Sequence, residues 1–312
     1  MEKRELLLAS VSPNTLRTYN SGFRQYTTFC AQLGVTPFPL NSRVVEDFCV
    51  VLSRRVGYKT IKVYLCGVQL ASRLRGHTAV ISNMPRLYYV LRGIRRSQGR
   101  SHVRPKRVPV TIPHLRSILQ CLANNYHPYD RDMLTAALLM AFFGMLRISE
   151  YTVPASDLFD PSQHLSPNDI TINWFRQSAS IYLRQSKSDP FRQGVTIRIA
   201  ATGNDLCPLR ALLMFLVRRG NRPGPLFLFH DNRYLLRAHI ATLLQQHNSP
   251  PLHFNTHSLR QGGATALAAA GTPQYVIQIL GRWRSDAFKR YLEFSDEFIT
   301  NANRAMAGLG PR

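Results

Sequence analysis

The segment Asn255-Thr-His-Ser-Leu-Arg260 sets an imidazole and a guanidinium three residues apart. With Asn255 or Thr256 as N-cap, His257 and Arg260 share one face of a helix's first turn. Two cationic groups at the positive end of a helix repel each other unless an anion binds between them. Taken alone, His-x-x-Arg also suits an ordinary packed helix start. Arg147, in Gly-Met-Leu-Arg-Ile-Ser-Glu150, leaves an apolar stretch three residues before Glu150. That pair reads either as a structural ion pair or as an anion-gripping guanidinium held by a carboxylate. Lys187 lies in Gln185–Gly194, between two alternating segments, and taken singly is a solvated hairpin-tip ammonium. Trp283 and Tyr291, taken singly, are core aromatics. No HxH, CxxC or carboxylate cluster offers metal-ligand spacing, and no cofactor is expected. The five cysteines (Cys30, Cys49, Cys66, Cys121, Cys207) are odd in number and widely spaced, so they are expected as small buried thiols in a reducing compartment.

Several elements must position these groups. Residues 111–122 predict a capped helix with an early Pro113. Asp132 to Glu150 predicts one helix, apolar nearly all round and therefore central, delivering Arg147 at its polar end. Residues 169–175, 179–184 and 194–200 predict strands, the last two alternating imperfectly and joined by the Lys187 turn. Helices follow at 209–219 and about 234–246, then the His257 helix. Its small residues Gly262, Gly263, Ala264 and Ala266 permit close packing behind the site. Gly271-Thr-Pro closes that helix, caps the next and opens it. Ser285 caps a short helix, 286–294, that holds Tyr291. Phe294, Phe298, Ala302 and Met306 continue as a narrow apolar stripe.

Upstream the pattern is helical and basic. Stripes beginning at Ser12-Pro13, Ser42, Lys59-Thr60 and Pro85 predict about four helices, with Tyr19, Phe23, Tyr26 and Phe29 as core. The 312-residue chain has net charge +23, and residues 1–110 hold 19 Lys/Arg against four acidic residues. No acid occurs between Asp47 and Asp130. Arg54, Arg55, Lys59, Lys62, Arg95, Arg96, Arg100, Arg104, Lys106 and Arg107 all fall in that window. Such one-signed charge indicates a polyanionic partner, with phosphate-tracking favoured over a merely solvated face. Residues 99–109 (GRSHVRPKRVP) read as a linker, either an exposed tether or a strap along a phosphate backbone. The longest apolar run, Ala136 to Leu146, has 11 residues, too short for a membrane span. The first residues lack an apolar h-region, so secretion is not expected.

In this order, Arg147, Lys187, His257-Ser-Leu-Arg260, Trp283 in LGRW and Tyr291 resemble the tyrosine recombinase (phage integrase) family over nearly the whole chain. SKSDPFRQG and LGRWRSDAFKRY are most similar to recombinases of eukaryotic mobile elements such as DIRS-type retrotransposons or cryptons. The resemblance implies a mainly α fold with a small β-sheet. A helical core DNA-binding domain (1–98) and a basic linker (99–109) would precede an α+β catalytic domain with a tail helix (110–312). It implies metal-free transesterification on double-stranded DNA, with Tyr291 as nucleophile, Arg147 and Arg260 on the phosphate oxygens, and Lys187 as proton donor. His257 and Trp283 would assist at the phosphate, and Glu150 would support Arg147. It further implies a DNA-bound homotetramer exchanging its C-terminal element, and a nuclear location in a eukaryotic host. Two alternatives share the features: a type IB topoisomerase-like enzyme, and a domesticated DNA-binding protein that lost strand exchange.

Overall fold

The structure, a computed structural model, describes residues 3–99, 108–155, 158–187, 189, 191, 193–247, 253–286, 289, 300, 303–304 and 306–309. The chain forms two compact units, Met1–Arg104 and Pro105–Arg312. The dividing point falls within the basic stretch 99–109.

The first unit is helical: α1 (Lys3–Ala9), α2 (Pro13–Gln32), α3 (Ser42–Ser53), α4 (Tyr58–Leu74) and α5 (Pro85–Gln98). α1 precedes the first helix expected from the periodicity. Ser12 caps α2 by accepting from the Thr15 N–H at 3.3 Å, and Pro13 opens it. Asn41 caps α3 in the same way. Tyr26, Phe29, Phe48, Ile61, Leu65, Val68, Leu87 and Ile94 share one core, so Tyr26 and Phe29 of the expected α2 stripe pack inward while Tyr19 and Phe23 are only half-buried. α2 and α4 approach closely at Gly22 and Gly67, where a Cβ would overlap Tyr64 and the Tyr19 carbonyl.

The second unit orders α6 (Ile112–Asn125), α7 (Pro128–Phe143), α8 (Ile148–Tyr151), β1 (Ile170–Asn173), β2 (Ser178–Leu183), β3 (Val195–Ala200), α9 (Pro208–Arg219), α10 (Arg237–Gln246), α11 (Ser258–Ala269) and α12 (Gln274–Leu280). The sheet is antiparallel in the order β1-β2-β3, with Ile181 facing Ile170 and Ile197. Ala179, Ile181, Leu183, Ile197 and Ile199 turn inward to a core that also takes α7, α9, Phe227 and Leu259. α7 is buried on nearly every side, as its unbroken apolar pattern predicts.

Four local expectations are corrected. The helix expected over 132–150 is two: α7 ends at Phe143, Met145 turns left-handed at φ 44°, and Arg147 occupies the N-cap of α8. At the break the Gly144 and Met145 carbonyls are taken by Arg260 and Arg282, and Gly263 of α11 lies so close that a Cβ would overlap the Phe142 carbonyl. No hydrophobic period signals such an excursion. The first strand stops at Asn173, because Asn173 Oδ1 accepts from the Arg176 N–H at 2.8 Å and makes 174–177 a turn. α10 begins at Arg237, since Tyr234 and Leu236 are engaged in bridges to Leu228 and Val153. Cys30, Cys49 and Cys207 are buried as expected, whereas Cys66 is exposed and Cys121 half-buried.

Candidate active site

The break after α7 frees backbone carbonyls, and three arginines use them or their neighbours. Arg260, on the first turn of α11 and 3 % exposed, donates to the carbonyls of Met145 and Gly281. Its guanidinium lies 4.4 Å from the Trp283 ring centroid, a cation–π stack. Arg282 donates to the Gly144 carbonyl at 3.2 Å, to Met145 at 3.1 Å and to Glu150 Oε2 at 2.9 Å. Arg147 donates through Nη1 to Glu150 Oε1 at 2.9 Å and to Ser186 Oγ at 2.7 Å. Three remote stretches of chain thus meet at one carboxylate.

Glu150 is that carboxylate, with its side chain 1 % exposed. It also accepts from the Arg147 backbone N–H at 2.8 Å and from the Ser186 hydroxyl at 2.8 Å. Burial by itself would raise its pKa. The charge of Arg282, then the bonds and charge of Arg147 and the Ser186 hydroxyl, outweigh that and hold it below its ordinary value. Burial pushes the Arg282 guanidinium down, and Glu150 opposes that shift. The carboxylate stays ionised and keeps the cluster from being purely cationic.

The remaining expected residues divide. His257 stands at the N-cap of α11, one turn before Arg260, and its N–H donates to Asn255 Oδ1 at 2.8 Å. The Asn255 side chain therefore caps from two residues upstream, and the N-cap position expected for Asn255 or Thr256 belongs to His257. Lys187 is exposed on the β2–β3 turn, immediately after Ser186. Trp283 packs with Met145, Ala264 and Ile277, and Gly281 fits beneath it because a Cβ there would overlap the indole. Tyr291 lies outside the described residues. α11 is seated against α7 by Gly262 and Gly263, where a Cβ would overlap the carbonyls of Val110 and Phe142.

The sequence reading left two members of the cluster without a role. Arg282 carried one usable signal, a charged residue between Gly281 and Trp283 directly after apolar α12. Ser186 carried none beyond its place beside Lys187.

In the first unit, six of the expected basic residues gather at one end. Arg54 and Arg55 follow α3, Lys59 and Lys62 lie on the first turns of α4, and Arg95 and Arg96 end α5; all six are exposed. Gln98 draws these ends together, donating to the Ser53 and Val56 carbonyls at 3.0 and 2.9 Å and accepting from the Tyr58 N–H at 2.8 Å. The Tyr58 ring lies between Lys62 and Arg95, at 5.9 and 5.8 Å from its centroid. Arg100, Arg104, Lys106 and Arg107 lie outside the described residues.

One cluster unseen in the sequence joins His127, Asp130 and His230, with ligand-type atoms within 4.8 Å of one another. Its contacts are already structural. Both Asp130 oxygens face His230, at 2.7 Å from its N–H and from Nδ1. His127 Nδ1 accepts from the Tyr129 N–H at the start of α7, and the two rings stack at 4.5 Å.

No family model matches the chain. An integrase/recombinase xerD homolog from Selenomonas ruminantium is 24% identical over 327 residues, covering 98% of this chain and 89% of the relative. Among solved structures, the Tn1549 transposon integrase with transposon right-end DNA has a TM-score of 0.61 at 16% identity, covering 99% of this chain and 100% of that one. XerH recombinase in a pre-cleavage complex with difH has a TM-score of 0.59 at 14% identity, covering 92% and 78%. A lambda integrase dimer on a COC′ core site has a TM-score of 0.59 at 14% identity, covering 93% and 75%. The likeness to these structures shows a common fold.

Proposed function

We propose that this chain is a tyrosine recombinase/integrase, a reading that its sequence likeness and fold support, and that it cuts and rejoins double-stranded DNA at specific sites through a covalent 3′-phosphotyrosyl intermediate. The observation that carries this reading is the convergence of three arginines from separate stretches: Arg147 and Arg282 meet on Glu150, and Arg260, stacked on Trp283, shares the Met145 carbonyl with Arg282. A planar guanidinium matches two phosphate oxygens, and two of them supply the charge that a pentacoordinate phosphorus needs.

In this reading the Tyr291 phenol passes its proton to His257 or to solvent as its oxygen bonds to phosphorus. The bond from phosphorus to the 5′-oxygen breaks, and Lys187 delivers a proton to that oxygen. One phosphodiester replaces another, so the bond energy is kept for rejoining. Arg147 and Arg260 grip the non-bridging oxygens. His257, one turn before Arg260, assists proton transfer or donates to the phosphate. Trp283, with a single N–H, can only donate. The exposed cations around Tyr58 bind the duplex backbone, and 1–98 and 110–312 are the DNA-binding and catalytic parts joined by the linker 99–109.

Integration or excision of a mobile element, in the nucleus of a eukaryotic host, is the role the motif likeness supports. Assembly is read as a homotetramer on DNA. An apolar groove of about 670 Å³ lined by Phe143, Met145, Ile197, Leu267, Ile279 and Leu280 suits an apolar four-residue repeat such as Phe294, Phe298, Ala302 and Met306 of a neighbouring protomer. Truncation after Glu293 should then lower the stoichiometry on DNA.

The test of the chemistry is a nicked suicide duplex carrying the native site. The wild-type chain should form a covalent adduct that denaturant does not dissolve, and Tyr291→Phe should form none. An adduct that survives Tyr291→Phe, or its absence from the wild type, overturns the reading.

A further inference from the structure

We infer that Ser186 is a positioning residue that ties the turn bearing Lys187 to the Arg147–Glu150 pair; the inference rests on the recombinase reading above. Among the described residues, three bonds anchor Ser186. Its hydroxyl accepts from Arg147 Nη1 at 2.7 Å and donates to Glu150 Oε1 at 2.8 Å. Its carbonyl accepts from the Asp189 N–H at 2.9 Å. The Asp189 carboxylate in turn accepts from the Gly194 N–H at 2.7 Å, closing the turn ahead of β3.

A hydroxyl has one proton, and here Glu150 takes it. The direction of the Arg147 bond is then settled, since Ser186 can only accept from it. Oγ, Glu150 Oε1 and Arg147 Nη1 form a closed triangle with no contact over 2.9 Å. Nη1 donates to both oxygens of that triangle, which restrains the guanidinium.

Lys187 is the next residue and is exposed. A long flexible ammonium at a turn has many orientations, and only those near the leaving oxygen serve proton delivery. Ser186 fixes the residue from which that side chain swings, against the same arginine that grips the phosphate. The turn and the phosphate site therefore keep a common frame, although the sheet and α8 belong to different parts of the chain. Glu150 alone orients Arg147 but does not reach the turn's backbone. Ser186 does both.

The test compares cleavage of two suicide duplexes by the full-length protein, one with the natural 5′-oxygen leaving group and one with sulfur at that bridging position. A thiolate leaves without a proton donor. Lys187→Ala should therefore be slow on the oxygen substrate and restored on the sulfur substrate. Ser186→Ala should slow cleavage of the oxygen substrate on the order of 100-fold, the scale of a small misplacement of a catalytic group. It should recover most of that loss on the sulfur substrate, with duplex affinity unchanged. Ser186→Thr, which keeps the hydroxyl, should stay near wild type on both.

Equal slowing of Ser186→Ala on both substrates would show a role through Arg147 alone, and no slowing would show no role; either overturns the inference. A wild-type protein that forms no adduct on either duplex overturns the recombinase reading itself. An active wild type with an unaffected Ser186→Ala overturns only the positioning role.

Discussion

Arg282 Nη2 lies 2.9 Å from Glu150 Oε2, on the opposite carboxylate oxygen from the one that takes the Arg147 guanidinium. One buried carboxylate thus holds two guanidiniums from positions 135 residues apart in sequence. Removing its charge would leave two buried cations without compensation. Glu150→Gln is expected to destabilise the second unit by about 3–5 kcal/mol, the range for breaking a buried pair. Urea unfolding followed by fluorescence measures it. A midpoint equal to wild type would mean the pairs contribute no net stability.

The same carboxylate predicts an acid limb. Its folded-state pKa lies below its ordinary value of 4.5. A depressed carboxylate contributes stability that is complete above the ordinary pKa and is lost as pH falls through the folded-state pKa. Unfolding midpoints from about pH 6 down to about pH 3 should therefore fall more steeply for wild type than for Glu150→Gln. Parallel curves would remove Glu150 from the account of acid sensitivity.

Two glycines of similar chemistry should respond oppositely to alanine. At Gly262 a Cβ meets the Val110 carbonyl and lies 2.7 Å from Phe142 Cε2, so Gly262→Ala should cost about 1–3 kcal/mol by overpacking. At Gly93, inside α5, nothing lies within 4 Å of the added carbon. Gly93→Ala should stabilise the first unit by about 0.5–1 kcal/mol through reduced freedom of the unfolded chain. Thermal melts of both variants decide, and a destabilised Gly93→Ala would contradict the open space seen there.

The cations flanking Tyr58 should behave as phosphate contacts. Lys62→Ala and Arg95→Ala are each expected to weaken duplex binding across unrelated sequences. Each should also lower the slope of log affinity against log salt by about 0.9 for the phosphate lost. Fluorescence anisotropy over a salt series measures this. An unchanged slope would assign these side chains to the bare surface.

Thiol labelling should separate the cysteines. Cys66 is exposed and should react first with a disulfide reagent, Cys121 more slowly. Cys49 should be protected until unfolding, because burial, with Glu46 second, pushes its thiol up to about 12. Mass spectrometry of the labelled chain checks the order, and early labelling of Cys49 would mean the first unit opens readily.

Much of this architecture was readable beforehand because local chemistry encodes it. Ser12-Pro13 and Ser42 mark helix starts, apolar periodicity marks α2 to α5, and the all-round apolar run marks α7 as central. The alternation in 179–184 and 194–200 located β2, β3 and the turn that carries Lys187. Arg147, Glu150 and Arg260 could be singled out because charged groups beside apolar or small-residue helices need a reason to be there. The end of α7 could not be read this way. It depends on how near α11 comes at Gly263 and on a left-handed Met145, neither of which leaves a periodic trace.

The amino-acid order by itself determined the element types, the strongly basic first unit and the set of residues suited to phosphate chemistry, since composition, caps and periodicity act within a few residues. Only the tertiary structure decided that Arg282 and Ser186 join Arg147 at Glu150, and that the ends of α3, α4 and α5 gather their cations around Tyr58. Hydrogen bonds and ion pairs between segments 36 to 132 residues apart depend on packing distance, and packing distance is a property of the whole fold.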